Sequence, residues 1–451
     1  MNSLLLRKVA FPLYHRIKKT KLMARIDELE RNQWRSEEEL LDLQASKLKR
    51  LLAHAYETVP FYRQRFDDLG IDIRDLHRCE LFSQIPLLSK EDINKNRDKI
   101  ISTKLNGNRL IPDSTSGSTG KALYFHRDMR SWAYRRAVVI RNEEWLDIRL
   151  GDRSARLWGA PMDLKKAAAV RGRLHAWANN IMFLSSYDLS DEKLDEYERR
   201  LSSFKPKLLI SYPGPLTVLA EYLIKKNKKI ASTKAIISSA ETLLSWQRDV
   251  IEKAFFCPVY NRYGCREFGD IAQECEKREG LHVNTDRFVI EILDEALKPV
   301  QPGESGELVI TDLDNYGMPF IRYRIGDMAS FKKEPCSCGR GLPLLERVEG
   351  RTLDVVSAPN GNRLGGTFWT LLFRSRPGIK SFQVIQESLE EITIKYVKDT
   401  KVANIDFRWF GRCIQDKCGP NFKVHFEAVS YIPKTASGKT RFVVSRIKDL
   451  R

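Results

Sequence analysis

The chain has 451 residues, 42% hydrophobic and 30% charged, which suits two or three globular domains and excludes a disordered polypeptide. Lysine and arginine number 77 against 59 acids, giving a formal net charge of +18. That excess either solvates exposed helices or attracts polyanions: nucleotides, anionic lipids, nucleic acid, acidic polysaccharides or their lipid-linked precursors.

In chain order, residues 1–24 carry Leu4, Leu5 and Leu6, then Arg7, Lys8, Arg16, Lys18, Lys19 and Lys21. They lack an apolar core and a small-residue cleavage site, so they are not read as a signal peptide. Two readings stay open: a helix packed on the body, or a basic amphipathic helix on an anionic membrane surface. No run approaches the roughly 20 apolar residues that span a bilayer. The expected location is the cytoplasm, with peripheral contact at the inner face of the membrane as the second reading. Eight cysteines without an export signal argue against a disulfide framework, and clustered ones read as metal ligands.

Ser36 with Glu39 forms a capping box, and Leu40, Leu41, Leu48, Leu51, Leu52 and Ala55 recur at helical spacing until Val59-Pro60 ends the helix. After Pro112 short β-branched segments (235–239, 288–293, 307–311) alternate with helical stretches (191–204, 244–255), which predicts layered α/β structure. Beyond Gly350, alternating runs at Phe382 and Val384, at Ile392, Ile394 and Tyr396, and at Phe422, Val424 and Phe426 predict a small α+β domain. The expected organisation is a helical part over residues 1–110, a nucleotide- and acyl-binding part over 111–350, and a small C-terminal domain over 351–451.

The sharpest local feature is Ser114-Thr115-Ser116-Gly117-Ser118-Thr119-Gly120-Lys121. Two glycines let backbone N–H groups turn inward, and hydroxyls and a lysine surround them, making a nest for phosphate oxygens. It is not a Walker A loop, because Thr115 stands where that motif needs glycine; Gly438-Lys439-Thr440 fails the same way, with Pro433 there. A flexible Ser/Gly linker is the competing reading.

The other distinctive segments follow in order: Tyr263-Gly264-Cys265-Arg266-Glu267, Tyr323-Arg324-Ile325-Gly326-Asp327, Gly350-Arg351 with Asp354, and Pro433-Lys434-Thr435-Ala436-Ser437-Gly438-Lys439. Together with the loop they resemble the ordered motifs of the adenylate-forming superfamily, which includes acyl-CoA synthetases. His54-Ala55-Tyr56, Val59-Pro60-Phe61-Tyr62-Arg63 and Ile85-Pro86-Leu87-Leu88-Ser89-Lys90 are similar to the phenylacetate–CoA ligase-like branch, which includes CapK-type proteins of polysaccharide biosynthesis.

The resemblance implies a large multi-layer α/β domain with mixed sheets and a small mobile α+β lid. It implies ATP-dependent formation of an acyl-AMP and pyrophosphate, then acyl transfer. Ser116, Gly117, Ser118, Thr119, Gly120 and Lys121 would hold the β- and γ-phosphates. Glu267 would hold Mg²⁺, with Tyr263 and Gly264 beside the adenine. Ala240 and Glu241, in Ser238-Ser239-Ala240-Glu241, would border the adenine pocket. Asp327 would bind the ribose hydroxyls, and Arg351 would reach the nucleotide from the hinge. Lys439 would meet both the carboxylate and the α-phosphate. Leu353 stands where many relatives have the first hinge Asp, so the pivot is not fixed by this likeness. Ser211-Tyr212-Pro213-Gly214 and the aromatics Trp158 and Tyr187 are expected near the acyl group, although core packing explains them equally.

Cys275 and His282, with six residues between them, and Cys336-Ser337-Cys338 supply the ligand types of a closed Cys₃His zinc site if the two halves meet; unlinked cysteines are the alternative. The leading expectation for the acceptor is CoA. A sugar amine on a polysaccharide precursor, or a carrier protein, is the second. A third reading is a retired enzyme that binds polyanions or membranes, against which Glu267, Asp327 and Lys439 argue. No nucleic-acid reader motif accompanies the charge, so nucleic acid is not expected. A homodimer is left open.

Overall fold

The computed structural model describes residues 4, 6–70, 79–105, 110–115, 123–158, 169–186, 189–351, 356–360, 362–364, 368–369, 372–373, 376–399, 402, 404–433 and 442–447, without the side chains of 79–81, 171, 349–351 and 363. The chain divides into two compact units: Met1–Ile325 with Ala329–Val348, and Gly326–Met328 with Glu349–Arg451.

In the large unit, the helix Glu37–Thr58 begins at the Ser36 box: Ser36 Oγ accepts from Glu39 N–H at 3.2 Å and Glu39 accepts from Ser36 N–H at 2.9 Å. Leu40, Leu51, Leu52 and Ala55 are buried along it, but Leu41 is exposed. The stripe is completed by Lys47, which is 2% exposed; its Nζ donates to the Asp314 carboxylate at 2.7 Å and to the Asp286 carbonyl at 2.6 Å. Periodicity alone could not place a lysine there, because burying it requires those acceptors from distant segments.

Two strands, β1 (Leu110–Ser114) and β2 (Tyr124–Asp128), form an antiparallel hairpin. The main sheet has eleven strands: β3 (Ser154–Trp158), β4 (Ile181–Ser185), β5 (Leu208–Ser211), β6 (Ala235–Ser239), β7 (Val259–Cys265), β8 (Gly269–Glu274), β9 (Leu281–Val283), β10 (Phe288–Leu293), β11 (Gly306–Asp312), β12 (Tyr323–Phe331) and β13 (Leu344–Arg351). Their spatial order is β10-β11-β12-β13-β9-β8-β7-β6-β5-β3-β4. From β7 to β4 every pairing is parallel, whereas β7–β8, β8–β9, β9–β13 and β10–β11 are antiparallel.

The parallel half needs helical crossovers, which cover the sheet. The helix Asp191–Phe204 buries Leu194, Tyr197 and Leu201; Pro213–Lys225 buries Leu216, Leu219 and Leu223; Ser245–Phe255 buries Ile251 and Ala254. Every residue of β5 and β6 is buried, and both are apolar up to the serines at their carboxyl ends. Among the described residues no helix is long and apolar enough to cross a membrane.

In the small unit, β14 (Val356–Ser357) pairs with β15 (Arg363–Leu364), and a four-stranded sheet has the order β18-β17-β16-β19. Its strands are β16 (Ile379–Ser388), β17 (Glu391–Lys398), β18 (Lys423–Ala428) and β19 (Val443–Ser445). The hairpin β16–β17 is flanked by parallel partners, and the helix Phe407–Cys418 makes the crossover to β18. Asp406 caps that helix, accepting from Trp409 N–H at 3.1 Å, and Phe410, Ile414 and Cys418 form its buried face. Trp369 is fully buried in the core they share.

Candidate functional site

The parallel strands carry the singled-out segments at one edge, their carboxyl ends. Trp158 ends β3, Ser211 ends β5 and leads into Tyr212-Pro213-Gly214, Ser239 ends β6 and leads into Ala240-Glu241, and Tyr263-Gly264 lies at the end of β7. Register sets them side by side, pairing Leu157 with Ser211, Ser211 with Ser238, and Ser239 with Arg262. Open α/β sheets bind ligands outside these ends, where connecting loops diverge and leave a crevice. The Trp158 and Tyr212 rings are 4.3 Å apart. A Cβ on Gly214 would stand 3.5 Å from Glu241 Oε2. Ala240 has φ +68°, a left-handed backbone that costs a non-glycine residue about 1–2 kcal/mol.

Glu267 occupies the turn from β7 to β8 and is buried; the Tyr323 hydroxyl donates to its Oε1 at 3.4 Å. Gly264 is dictated by backbone approach, since a Cβ there would fall 2.3 Å from the Gly269 carbonyl oxygen. The Cys265 thiol hydrogen-bonds to Glu267 and takes the Phe268 N–H at 3.4 Å. Burial, then the Glu267 charge, push this thiol well above the usual range. It stays protonated at neutral pH and is no nucleophile.

Residues 116–121, predicted to hold phosphates, lie outside the described residues, but the neck of their loop does not. Thr115 N–H donates to the Leu123 carbonyl at 2.9 Å, and Leu123 N–H donates to Thr115 Oγ1 at 3.1 Å. Just before the neck, Asp113 pairs with Arg127 at 2.6 Å and Arg266 at 3.1 Å. Arg127 and Arg135 donate to the Arg266 carbonyl at 3.3 and 2.8 Å, and Arg135 also donates to the Glu267 carbonyl at 3.2 Å. The loop's base and the Glu267 turn are thereby joined. Burial would raise the Asp113 pKa, but Arg127 and Arg266 outweigh it and hold the carboxyl below the usual aspartate range. Sequence reasoning missed Asp113, Arg127 and Arg135 because each reads as an isolated surface charge.

Asp327 lies on β12, next to Gly326 with its φ of +86°. Arg351 ends β13, and its side chain is not among those described; Lys439 and Tyr187 also lie outside the described residues.

At the other end of β8 the two predicted cysteine and histidine segments meet. One donor atom from each of Cys275, His282, Cys336 and Cys338 lies within 4.8 Å of the other three. Cys275 and Cys336 sulfurs are 3.6 Å apart, and Cys338 Sγ is 3.3 Å from His282 Nε2. His282 Nδ1 donates to the Leu342 carbonyl at 3.0 Å, which leaves Nε2 as the lone-pair nitrogen facing the sulfurs. Burial chiefly drives the His282 pKa down to about 4, so the ring is neutral at pH 7. Lys277 and Arg340 N–H groups donate to Cys275 and Cys338 sulfurs at 3.4 and 3.5 Å. Three sulfurs and one nitrogen suit a tetrahedral, closed zinc set. Six residues of β8 at about 3.3 Å each put it about 20 Å from the Glu267 turn, so it does not share that chemistry.

Residues 357–446, within the small unit, match the family model of the CapK C-terminal domain. Over 416 residues, 91% of this chain and 90% of the relative, the sequence is 28% identical to Protein CapK of Staphylococcus aureus. Over 445 residues, 92% and 97%, it is 25% identical to phenylacetate–coenzyme A ligase of Thermus thermophilus. The chain is a homologue of CapK and the phenylacetate–CoA ligases. The crystal structure of 2-hydroxyisobutyryl-CoA ligase in its postadenylation state superposes with a TM-score of 0.73 at 20% identity, covering 89% of this chain and 88% of that one. ATP-bound MatB from Rhodopseudomonas palustris gives 0.56 at 16% identity, covering 75% and 68%. The fold is that of the adenylate-forming CoA ligases, as the ordered motifs imply.

Proposed function

We propose that this CapK homologue is an AMP-forming acid–thiol ligase. A carboxylate oxygen attacks the α-phosphorus of ATP, the bond to the bridging oxygen breaks, and pyrophosphate leaves. The thiol of CoA then attacks the acyl carbon, AMP departs, and the thiol proton passes to solvent. One observation carries the reading: the Glu267 turn is joined through Asp113 to the neck of the phosphate loop, beside strand ends that carry Tyr263, Glu241 and Tyr212.

Bringing two anions together is chiefly a matter of positioning and of stabilising charge at phosphorus. Ser116, Gly117, Ser118, Thr119, Gly120 and Lys121 would grip the outer phosphates, and Glu267 would bind Mg²⁺, a hard cation suited to oxygen ligands. Tyr263, Gly264, Ala240 and Glu241 would border the adenine, and Asp327 the ribose. Lys439, from a lid formed by residues 351–451, would neutralise the carboxylate and α-phosphate, with Arg351 near the pivot. Cys275, His282, Cys336 and Cys338 would hold zinc structurally.

Homology to CapK favours a second reading for the last step alone: transfer to a polysaccharide precursor or carrier in place of CoA. Hydroxamate trapping across aliphatic, aromatic and amino acids, with and without CoA, tests both. Trapped adenylate consumed only when CoA is added supports the ligase; adenylate unaffected by CoA moves the acceptor elsewhere. Absence of acid-dependent pyrophosphate release with every acid would end the adenylation reading.

A further inference from the structure

Among the described residues, two helices of the large unit leave apolar faces uncovered. The first runs from Leu6 to Ile17, as a π-helical turn Leu6–Ala10 continued by the α-helix Phe11–Ile17. Leu6, Phe11 and His15 are buried beneath it, while Val9, Leu13, Tyr14 and Ile17 are exposed, Ile17 at 68%. The second, Val170–Ala178, exposes Val170, Leu174 and Trp177 at 74%, 60% and 69%, one stripe at helical spacing. Apolar side chains scattered singly on a surface need no explanation, but stripes on helices do.

The first helix packs on the helix Met129–Glu144, where Phe11 shares a core cluster with Tyr134, Ala137 and Val138. His15 packs on its Trp132, with ring centroids 5.9 Å apart. Burial lowers the pKa of both His15 and His175, and the charge of Arg136, from the same helix, lowers both further. One guanidinium therefore lies near both amphipathic helices.

Every charged side chain on the two helices and on the turn after Ile17 is basic. Lys8, Arg16, Lys18, Lys19, Lys21 and Arg173 are all exposed. Residues 1–26 contain no Asp or Glu, and neither does Val170–Ala178. Two copies joined about a twofold axis would set this cationic face against itself, which charge repulsion opposes. A surface that is apolar below and anionic above satisfies both components at once. Exposed Tyr14 and Trp177 are the residue types that settle at a bilayer's headgroup level.

We propose that the helices Leu6–Ile17 and Val170–Ala178 together form a peripheral docking face for an anionic lipid bilayer, with Val9, Leu13, Ile17, Val170, Leu174 and Trp177 entering the headgroup–acyl boundary and the six lysine and arginine side chains meeting lipid phosphates. The proposal is independent of the adenylation chemistry, and its test reads no catalysis.

The test is cosedimentation of the full chain with vesicles of phosphatidylglycerol and phosphatidylcholine, against vesicles of phosphatidylcholine alone. The expected result is binding to the anionic vesicles only, weakened when ionic strength rises from about 0.1 to about 1 M, as the screening length falls from about 10 to about 3 Å. Leu13→Ser with Ile17→Ser, and separately Leu174→Ser with Trp177→Ser, should each weaken binding at least about tenfold. These side chains are exposed, so thermal unfolding should not change; circular dichroism checks this. No binding to anionic vesicles, or equal binding by both double variants, overturns the proposal. Loss in only one double variant overturns the joint face. Self-association in sedimentation velocity that the substitutions abolish would assign the stripes to a second copy instead.

Discussion

The two ends of β8 are built on different principles. At its start, Glu267 and Arg266 are fixed from outside, by guanidinium groups of Arg127 and Arg135 on their carbonyls and by Asp113 on Arg266. At its end, Cys275, His282, Cys336 and Cys338 converge on one another, and neighbouring N–H and C=O groups serve their outer atoms. The first arrangement fixes a backbone turn beside the open ends of parallel strands. The second closes on itself and has donors for one ion and nothing more. In the proposed function the first serves chemistry and the second stability, and four experiments bear on that division.

The largest effect is expected from Lys439→Ala. Removing the cation assigned to the α-phosphate should lower acid-dependent pyrophosphate release about 1000-fold, a loss of about 4 kcal/mol of transition-state stabilisation, with unfolding unchanged. Full activity in this variant would show that the open site works without the small unit's lysine.

Cys336→Ser should leave one zinc donor short. Elemental analysis should find one zinc per chain in the parent and none in the variant, with about 3 kcal/mol or more of stability lost and a strong chelator reproducing the fall in melting temperature. Zinc-free protein of unchanged stability would remove the structural role from the closed end.

Asp113→Asn should cost about 3 kcal/mol by stranding Arg127 and Arg266 without their shared carboxylate. The pKa of Asp113 is lowered in the folded chain, so its contribution is complete above the ordinary aspartate value of about 3.9 and disappears as pH falls through the lowered folded value. Urea unfolding between neutral and acidic pH should show that loss in the parent chain and not in the variant. A matched acid slope in both would place the stabilisation elsewhere. Because the pair also joins the phosphate-loop neck to the Glu267 turn, the KM for ATP should rise in the variant.

The smallest effect belongs to the cap of the helix Glu37–Thr58, whose Leu40 packs in one core cluster with Cys275 and Cys336. Ser36→Ala removes the acceptor for Glu39 N–H and should cost about 1 kcal/mol with no change in ATP affinity. A change in activity would mean that the N-terminal helix influences the crevice.

How much of this was legible beforehand depended on the range of the signal. The helix 191–204 and the strands 235–239 and 288–293 could be drawn from sequence, because side-chain period and turn residues act locally. The Ser36–Glu39 box was equally plain, being complete within four residues. Leu41 misled because a helical stripe counted from leucines alone cannot know that Lys47 has acceptors waiting at Asp286 and Asp314. Cysteine and histidine spacing suggested two half-sites; only the fold brought them within 4.8 Å.

The sequence by itself determined which chemical groups are present and in what order: a hydroxyl- and glycine-rich loop, Tyr263 to Glu267, Tyr323 to Asp327, and a lysine near the end. It also determined an acid-free, basic N-terminus. The tertiary structure alone decided that Asp113 meets Arg266 across 153 positions, and that Val9, Leu13 and Ile17 of one helix and Val170, Leu174 and Trp177 of another stay exposed near one arginine. The physical reason is common to both. Electrostatic pairing and burial depend on distance in space, and the chain's local preferences fix that distance only after the whole sheet has closed around them.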